Sequence, residues 1–122
     1  RARALPALAA LMELGRNGLS EMIERCCDHA AAIFDGIVGL QGATGIARPT
    51  MNQGLIRFDA KDGSNISDAV IAAINASGEA FLSGGSWDGE RVMRISVCGW
   101  NTSADDVART VAAASEALSS LR

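Results

Sequence analysis

Hydrophobic side chains recur at intervals of three and four residues along two long stretches of the chain. The first stretch carries apolar residues at Leu19, Ile23, Cys26, Ala30, Ile33, Ile37 and Leu40. The second carries them at Ala104, Val107, Val111, Ala114, Leu118 and Leu121. This spacing puts each set on one face of an α-helix, so both stretches are predicted to be amphipathic helices that bury one face. Thr102, followed three residues later by Asp105, is the predicted cap of the second helix.

A shorter helix is predicted near the start, from Pro6 to Leu14, with Gly15 and Gly18 supplying a break. Apolar residues go nearly all the way round it, so at least one side should face a neighbour that this chain need not contain. The first residue is Arg1, and the sequence begins without a helix cap of its own. We therefore expect a piece of a longer polypeptide.

Another short helix is predicted after the polar turn at residues 61–65. Ile66, Val70 and Ile74 lie four residues apart on one side of it. Ser64 or Asn65 would cap this helix, and it would end near Gly78. Strands are predicted at residues 44–47, 52–59 and 91–98, and the segments on either side of Gly84-Gly85 lead into the last of them.

The Asp88-Gly89 dipeptide fits a tight hairpin turn, because both residues tolerate the positive φ of a type I′ turn. In the strand that follows, Met93, Ile95 and Val97 point to one face, whereas Val92, Arg94 and Ser96 point to the other. The predicted fold is an α+β domain in which helices cover one face of a small, mainly antiparallel sheet. Arg94 would lie on the uncovered face.

Composition excludes several classes of function. The 122 residues carry a net charge of −3 at pH 7, so the chain lacks the basic surface with which proteins neutralise nucleic-acid phosphates. No apolar run is long enough to span a membrane. The three cysteines, Cys26, Cys27 and Cys98, are odd in number and not spaced as metal ligands, so we expect reduced thiols, a cytoplasmic protein and no metal site.

Arg94 is the leading candidate for a functional residue. A guanidinium presents a planar fork of donors that can grip a substrate carboxylate with two parallel hydrogen bonds. The alternative is an ordinary surface ion pair, which contributes little to stability or function. From the sequence alone, both interpretations remain open.

Other polar positions carry weaker signals. Ser96, Trp87 and Cys98 are candidate pocket-lining residues around Arg94. His29 is expected to be an ordinary helix residue, and Cys26 and Cys27 are expected to be small buried ones. Lys61, the only lysine, lies in a polar turn rather than in a pocket that would lower its pKa. Because Gly84-Gly85 lies between strands, it favours a hairpin or bulge over a phosphate-binding loop.

Three segments together resemble a known family. These are RARALPALAALMELGRNGLSEMIERCCDHA, NQGLIRF and GEAFLSGGSWDGERVMRISVCGWNTSADDV. Their order resembles the C-terminal domain of the group II pyridoxal-phosphate-dependent amino-acid decarboxylases, the aromatic-amino-acid and glutamate decarboxylase kind. The most specific part is the string WDGxxxxRxSxxxWxT, from Trp87 to Thr102. Gly99 departs from the pattern, since relatives commonly have asparagine there.

The resemblance implies a fold-type-I enzyme in which this chain is the small domain. Residues 1–18 would lead out of the large domain, and residues 19–122 would form the small domain. The large domain would bind pyridoxal 5′-phosphate and carry the catalytic lysine, so no catalytic or cofactor-binding residue is expected in this chain. Arg94 matches the arginine that faces the amino-acid substrate, and the parent protein would be a homodimer.

Two alternatives stay open. Within the same fold, the parent would be an aminotransferase or a desulfurase-like lyase. From a different class, the chain would be a free-standing regulatory module that binds a small acid. The first helix discriminates between the two classes, because burial of that helix against its own domain would favour the module.

Overall fold

The computed structural model describes residues 3–122, which form one four-stranded sheet and three helices. In chain order these are α1 (Leu5–Val38), β1 (Ala43–Ala47), β2 (Gln53–Phe58), α2 (Ser67–Ser77), β3 (Ser83–Trp87), β4 (Glu90–Ser96) and α3 (Ala104–Leu121). Arg1 and Ala2 of the predicted 1–18 segment lie outside the described residues. Within the described residues, no helix combines the length and apolar character needed to cross a membrane.

The sheet has the order β1-β2-β4-β3, and every neighbouring pair is antiparallel. Asp88 and Gly89 link β3 to β4 with φ values of 50° and 80°. Both angles lie in the left-handed region that a type I′ turn requires, so the predicted hairpin is confirmed. The turn fixes the register, in which Ser83 lies directly opposite Arg94.

One face of the sheet forms the core. Met93, Ile95 and Val97 of the predicted inner face are all buried. They join Ile56 and Phe58 of β2 beneath α1 and α2, and α3 packs against both of these helices. The predicted α+β class, with helices on one face of an antiparallel sheet, is confirmed.

Val92 lies on the predicted outer face but is buried there. It lies on the face opposite the core, yet it is only 1% exposed and does not belong to the main core cluster. Because β4 is a central strand, Val92 is flanked on both sides by neighbouring strands. The outer face of the sheet therefore has an apolar centre.

Helix α1 joins the two helices that the sequence predicts separately. Its backbone is interrupted at Gly15 (φ 61°, ψ −170°), where the lack of a Cβ permits the left-handed φ. The break at Gly15 is confirmed, but Gly18 lies within the helix and the break expected there is wrong. Burial also begins later than predicted, because Ile23 is exposed and the first buried residue of the stripe is Cys26. The N-terminal half of α1 therefore extends past the core.

The predicted cap of α3 moves by one residue along the chain. Thr102 donates its backbone N–H to Gly99 in a turn, so α3 is capped by Ser103, which forms a capping box with Asp106. For α2, the side-chain oxygen of the predicted cap Asn65 accepts the backbone N–H of Ser67, the first residue of the helix, at 3.0 Å. The N-cap position of α2 is Ile66, whose backbone N–H is held by the carbonyl of Phe58 at the end of β2.

Candidate functional site

Arg94 lies in the middle of β4 on the face of the sheet that the helices leave uncovered. Its direct neighbours across the strands are Leu55 of β2 and Ser83 of β3. The side chain is exposed, and its Nε donates a hydrogen bond to the Ser83 Oγ at 3.2 Å. The guanidinium is therefore anchored at one nitrogen while its far end faces outward.

The three arginines of β2 and β4 differ in what they bind. Arg57 pairs with Asp59 at 2.8 Å and with Glu90 at 3.2 Å. Arg91 points to the helix side, where it pairs with Asp68 at 2.8 Å. Arg94 is the exception among these three arginines. Within residues 3–122, no carboxylate oxygen lies within 4.0 Å of its guanidinium nitrogens. The predicted alternative of an ordinary ion pair therefore finds no partner carboxylate in the described part of the chain.

The ion pairs of Arg57 and Arg91 also raise the pKa of each guanidinium. The pKa of Arg57 is raised, chiefly because Asp59 accepts its hydrogen bond. The pKa of Arg91 is raised for the same reason by Asp68, whose own pKa is lowered. Each of these positive charges is thus already matched by a negative charge within the domain.

Apolar side chains flank Arg94 on the outer face. Leu55, directly across β2, is half-buried, and Val92, two residues before Arg94 on β4, is buried. Apolar neighbours exclude water from one side of a guanidinium and so strengthen its attraction for an anion. An anionic group that docks onto this face would meet one arginine without a carboxylate partner in residues 3–122, flanked by the apolar Leu55 and Val92 and by the polar Ser83 and Ser96.

Ser83 is a residue of the site that the sequence reasoning missed. The signal was present, because a two-residue turn at Asp88-Gly89 pairs residue 83 with residue 94 by counting back along the hairpin. Asn75 of α2 binds the backbone of Leu82, the residue before Ser83. Its side-chain amide donates to the Leu82 carbonyl at 3.0 Å, and its side-chain oxygen accepts from the Leu82 N–H at 2.8 Å.

Two of the three predicted pocket-lining residues lie on the same side of Arg94. Ser96 follows it on the outer face, and the Ser96 Oγ lies 3.4 Å from the Cys98 Sγ. The side-chain amide of Asn52 donates to the same sulfur at 3.6 Å and to the Val97 carbonyl at 2.9 Å. Ser96 and Cys98 also line a cavity of about 210 Å³.

Trp87 lies away from this group. Trp87 pairs with Glu90 beside the hairpin turn, and Glu90 precedes Arg94 by four residues on β4. The Trp87 side chain is exposed. At about 3.3 Å per residue, its backbone level is roughly 13 Å from that of Arg94. The structure therefore brings Ser96 and Cys98 together but does not bring Trp87 to them.

The three cysteines line one small cavity of about 240 Å³, together with Met22 and Met51. All three are free thiols, and Cys26 is buried as predicted, whereas Cys27 is half-buried. Across residues 3–122, no three side chains among His, Cys, Asp and Glu are arranged to hold a metal ion. The remaining candidates are also separate from Arg94: His29 is half-buried on α1, and Lys61 is exposed in its turn.

A larger groove of about 870 Å³ runs along the N-terminal half of α1. Leu11, Leu14 and Met22 line it from the helix, and Cys98 and Trp100 line it from the segment after β4. Five apolar side chains of this part of the helix are exposed: Leu5, Leu8, Leu11, Met12 and Leu14. The first helix is therefore not buried against its own domain.

Gly99, where the sequence departs from the family pattern, lies in a tight position. A Cβ added there would lie 2.6 Å from the Thr102 Oγ1. The carbonyl of Gly99 also accepts a long hydrogen bond from the Cys26 thiol, at 3.9 Å. Glycine at this position keeps the turn into α3 close to α1.

Comparisons with solved structures find the same fold in much longer chains. Tryptophan decarboxylase from Catharanthus roseus, crystallised with L-tryptophan, matches 98% of this chain with a TM-score of 0.83 and 15% identity. The Oryza sativa TDC with PLP and tryptamine matches 92% with a TM-score of 0.79 and 15% identity. The chain shares their fold. It spans 26% of the length of each.

A lyase of different specificity also matches. The cystine C-S lyase C-DES, in complex with its product cysteine persulfide, matches 89% of this chain with a TM-score of 0.66 and 16% identity. This chain covers 28% of it. No protein-family model and no curated protein sequence matches the chain. The resemblance drawn from the sequence is thus confirmed at the level of the fold.

Proposed function

We propose that this chain is the C-terminal small domain of a pyridoxal-phosphate-dependent amino-acid decarboxylase, in which Arg94 binds the substrate carboxylate. One observation carries the proposal: Arg94 projects from the uncovered face of the sheet without a carboxylate partner in residues 3–122, whereas Arg57 and Arg91 are both paired. Similarity to decarboxylase structures along nearly the whole chain supports the same interpretation.

The chain does not itself fit pyridoxal phosphate. Its single lysine, Lys61, is exposed in a polar turn, and a lysine that holds this cofactor is one desolvated in a pocket. When bound in the parent protein, the cofactor would supply an electron sink for the bond that breaks. The contribution of this chain is to orient the substrate, since a guanidinium fork fixes both the position and the plane of a carboxylate.

A large cofactor-binding domain is the proposed partner of the exposed N-terminal half of α1. Residues 1–18 would connect the two domains, and residues 19–122 would form the small domain. Leu8, Leu11 and Met12 expose apolar surface that would be removed from water by such a neighbour. The parent would be a cytoplasmic homodimer, in keeping with three free cysteines.

Product analysis of the full-length protein tests the reaction. Release of an amine and carbon dioxide from an amino acid supports a decarboxylase. A keto acid as the product would instead identify an aminotransferase, and release of a sulfur-containing product would identify a lyase related to the cystine C-S lyase. The free-standing regulatory module is the third outcome, and it requires an open reading frame that begins near Arg1 and encodes no cofactor domain.

Substitution of Arg94 tests the role of the site. Arg94→Ala in the full-length protein is expected to raise the KM for the amino acid about 100-fold, because truncating one partner of a charge pair that is closed off from water costs several kcal/mol. Arg94→Lys keeps the charge but loses the planar fork, so it should restore only part of the affinity. Cofactor absorbance should be the same in both variants.

A further inference from the structure

We propose that Ser83 is a positioning residue that fixes the Arg94 guanidinium so that only its two terminal nitrogens are offered to a carboxylate. The inference deepens the proposed function and rests on it. Ser83 itself touches no ligand in this account. It acts through the hydrogen bond that its Oγ accepts from the Arg94 Nε at 3.2 Å.

A guanidinium can bind a carboxylate in two ways. The fork can be formed by the two terminal nitrogens, or by Nε together with one terminal nitrogen. Nε carries a single hydrogen, and in Arg94 that hydrogen is already directed at Ser83. The fork formed by Nε and one terminal nitrogen is therefore unavailable to a carboxylate, and the fork formed by the two terminal nitrogens remains.

The position of Ser83 is itself fixed from two directions. The antiparallel register sets it directly opposite Arg94, and the residue before it, Leu82, is buried. Asn75 of α2 holds both backbone polar groups of Leu82, at 2.8 Å and 3.0 Å. Because these contacts exist before a ligand arrives, less side-chain entropy of Arg94 is lost on binding.

A neutral hydroxyl suits this role better than a carboxylate would. A serine oxygen accepts the Nε–H without cancelling the positive charge, so the guanidinium keeps its full attraction for an anion. Arg57 illustrates the other case, because Asp59 accepts its Nε–H at 2.8 Å and forms an internal ion pair. Ser83→Asp should convert Arg94 into a pair of the same kind.

The test compares four variants of the full-length protein. Ser83→Ala should raise the KM for the amino acid about tenfold, the effect of losing one hydrogen bond to a charged group, and change kcat by less than about twofold. Ser83→Thr, which keeps the hydroxyl, should restore the KM. Ser83→Asp should raise the KM as far as Arg94→Ala does. Ser86→Ala is the matched control on the same strand, where residue 86 lies opposite Arg91.

A second readout isolates the carboxylate. Propionate and propionamide are tested as competitive inhibitors of the wild-type protein and of Ser83→Ala. The inhibition constant of propionate should rise about tenfold in the variant, whereas that of propionamide should stay the same, because only the former presents a carboxylate to Arg94. A general loss of structure would weaken both inhibitors equally, and that result would overturn the positioning role.

The outcomes separate this inference from the function on which it rests. If Arg94→Ala raises KM but Ser83→Ala does not, the role of Ser83 is refuted and the role of Arg94 stands. If Arg94→Ala leaves KM unchanged, the carboxylate-binding proposal fails, and the inference fails with it. A tenfold effect of Ser83→Ala that Ser83→Thr does not restore also refutes a role through the hydroxyl.

Discussion

Arg57 and Arg94 project from the same face of the sheet on neighbouring strands, but only Arg57 has carboxylate partners among the described residues. Arg57→Ala should therefore lower the free energy of unfolding by about 0.5 to 1 kcal/mol, since it removes a partly exposed ion-pair network. Arg94→Ala should change it by less than about 0.5 kcal/mol. Urea unfolding of this chain measures both. A larger loss for Arg94→Ala than for Arg57→Ala would mean that Arg94 is a structural residue.

The Ser103–Asp106 capping box should stabilise the start of α3. Ser103→Ala removes the oxygen that accepts the Asp106 N–H, and the loss of such a cap costs about 1 kcal/mol. Thr102→Ala is the control, because Thr102 is the neighbouring hydroxyl residue that does not cap the helix. Equal losses for the two variants, measured by thermal unfolding, would contradict the assignment of the cap.

The same box predicts a dependence of stability on pH. Hydrogen bonds from the Ser103 side chain and then from its backbone lower the pKa of Asp106 from its usual 3.8. A carboxyl with a lowered folded-state pKa stabilises the fold fully above its unfolded pKa, and this stabilisation is lost as the pH falls through the folded pKa. The stability difference between the wild type and Asp106→Asn should thus be constant at pH 5 to 7 and shrink below about pH 4.

Urea unfolding at a series of pH values measures that difference. Taking the difference between two proteins removes the contributions of other carboxyls whose pKa values are lowered, such as Asp62 and Asp68. Asp105→Asn is the control, because Asp105 lies in the same first turn outside the capping box. A difference that grows toward acid pH has the opposite sign and would refute the linkage.

Gly45 should tolerate substitution poorly, whereas Gly85 should accept it. A Cβ at Gly45 would lie 2.5 Å from the Cζ of Phe34, whose ring is buried against the sheet, so Gly45→Ala should cost about 1 to 3 kcal/mol. At Gly85 the nearest atom would be a Val92 methyl at 3.9 Å, an ordinary contact. Chemical unfolding measures the free energy of unfolding of both variants. An unchanged value for Gly45→Ala would show that Phe34 of α1 does not pack tightly against Gly45 of β1.

The exposed half of α1 gives a prediction that depends on context. Leu11→Ser should change the unfolding free energy of this chain by less than about 1 kcal/mol, because Leu11 is half exposed. Ile33→Ala, at a buried position of the same helix, should cost about 2 to 5 kcal/mol. In the full-length protein, Leu11→Ser should become clearly destabilising. If it stays neutral there, no domain packs on this face.

Local patterns predicted much of the fold because they act over short distances. The Asp88-Gly89 turn and the alternation of Met93, Ile95 and Val97 determine a hairpin and its core face without reference to the rest of the chain. The kink at Gly15 is equally local. These features were all confirmed.

The errors arose where tertiary contacts choose between equivalent local options. Thr102 and Ser103 are both suitable caps, each with an aspartate three residues later, and the turn that binds Thr102 to Gly99 selects the second. At α2 the N-cap position is Ile66, one residue after Asn65, whose side-chain oxygen accepts the Ser67 N–H as predicted. Val92 lies on its predicted face, and its burial there follows from the place of β4 as a central strand, which is not a local property of the sequence.

The site was predicted only in part. Arg94 and its face follow from the strand period, but Ser83 was missed, although the register that the turn sets could have identified it. The carboxylate partners of Arg57 and Arg91 do not follow, because Glu90 and Asp68 reach them through the folded arrangement of β4 and α2. The sequence therefore offered three strand arginines, and only the structure separates the unpaired one from the others.

The KM of the full-length protein for its amino acid, measured in Arg94→Ala and in Arg57→Ala, tests the central claim most directly. We predict an increase of about 100-fold for Arg94→Ala and less than about twofold for Arg57→Ala, with the cofactor absorbance of both equal to that of the wild type. A wild-type KM in Arg94→Ala would contradict the account.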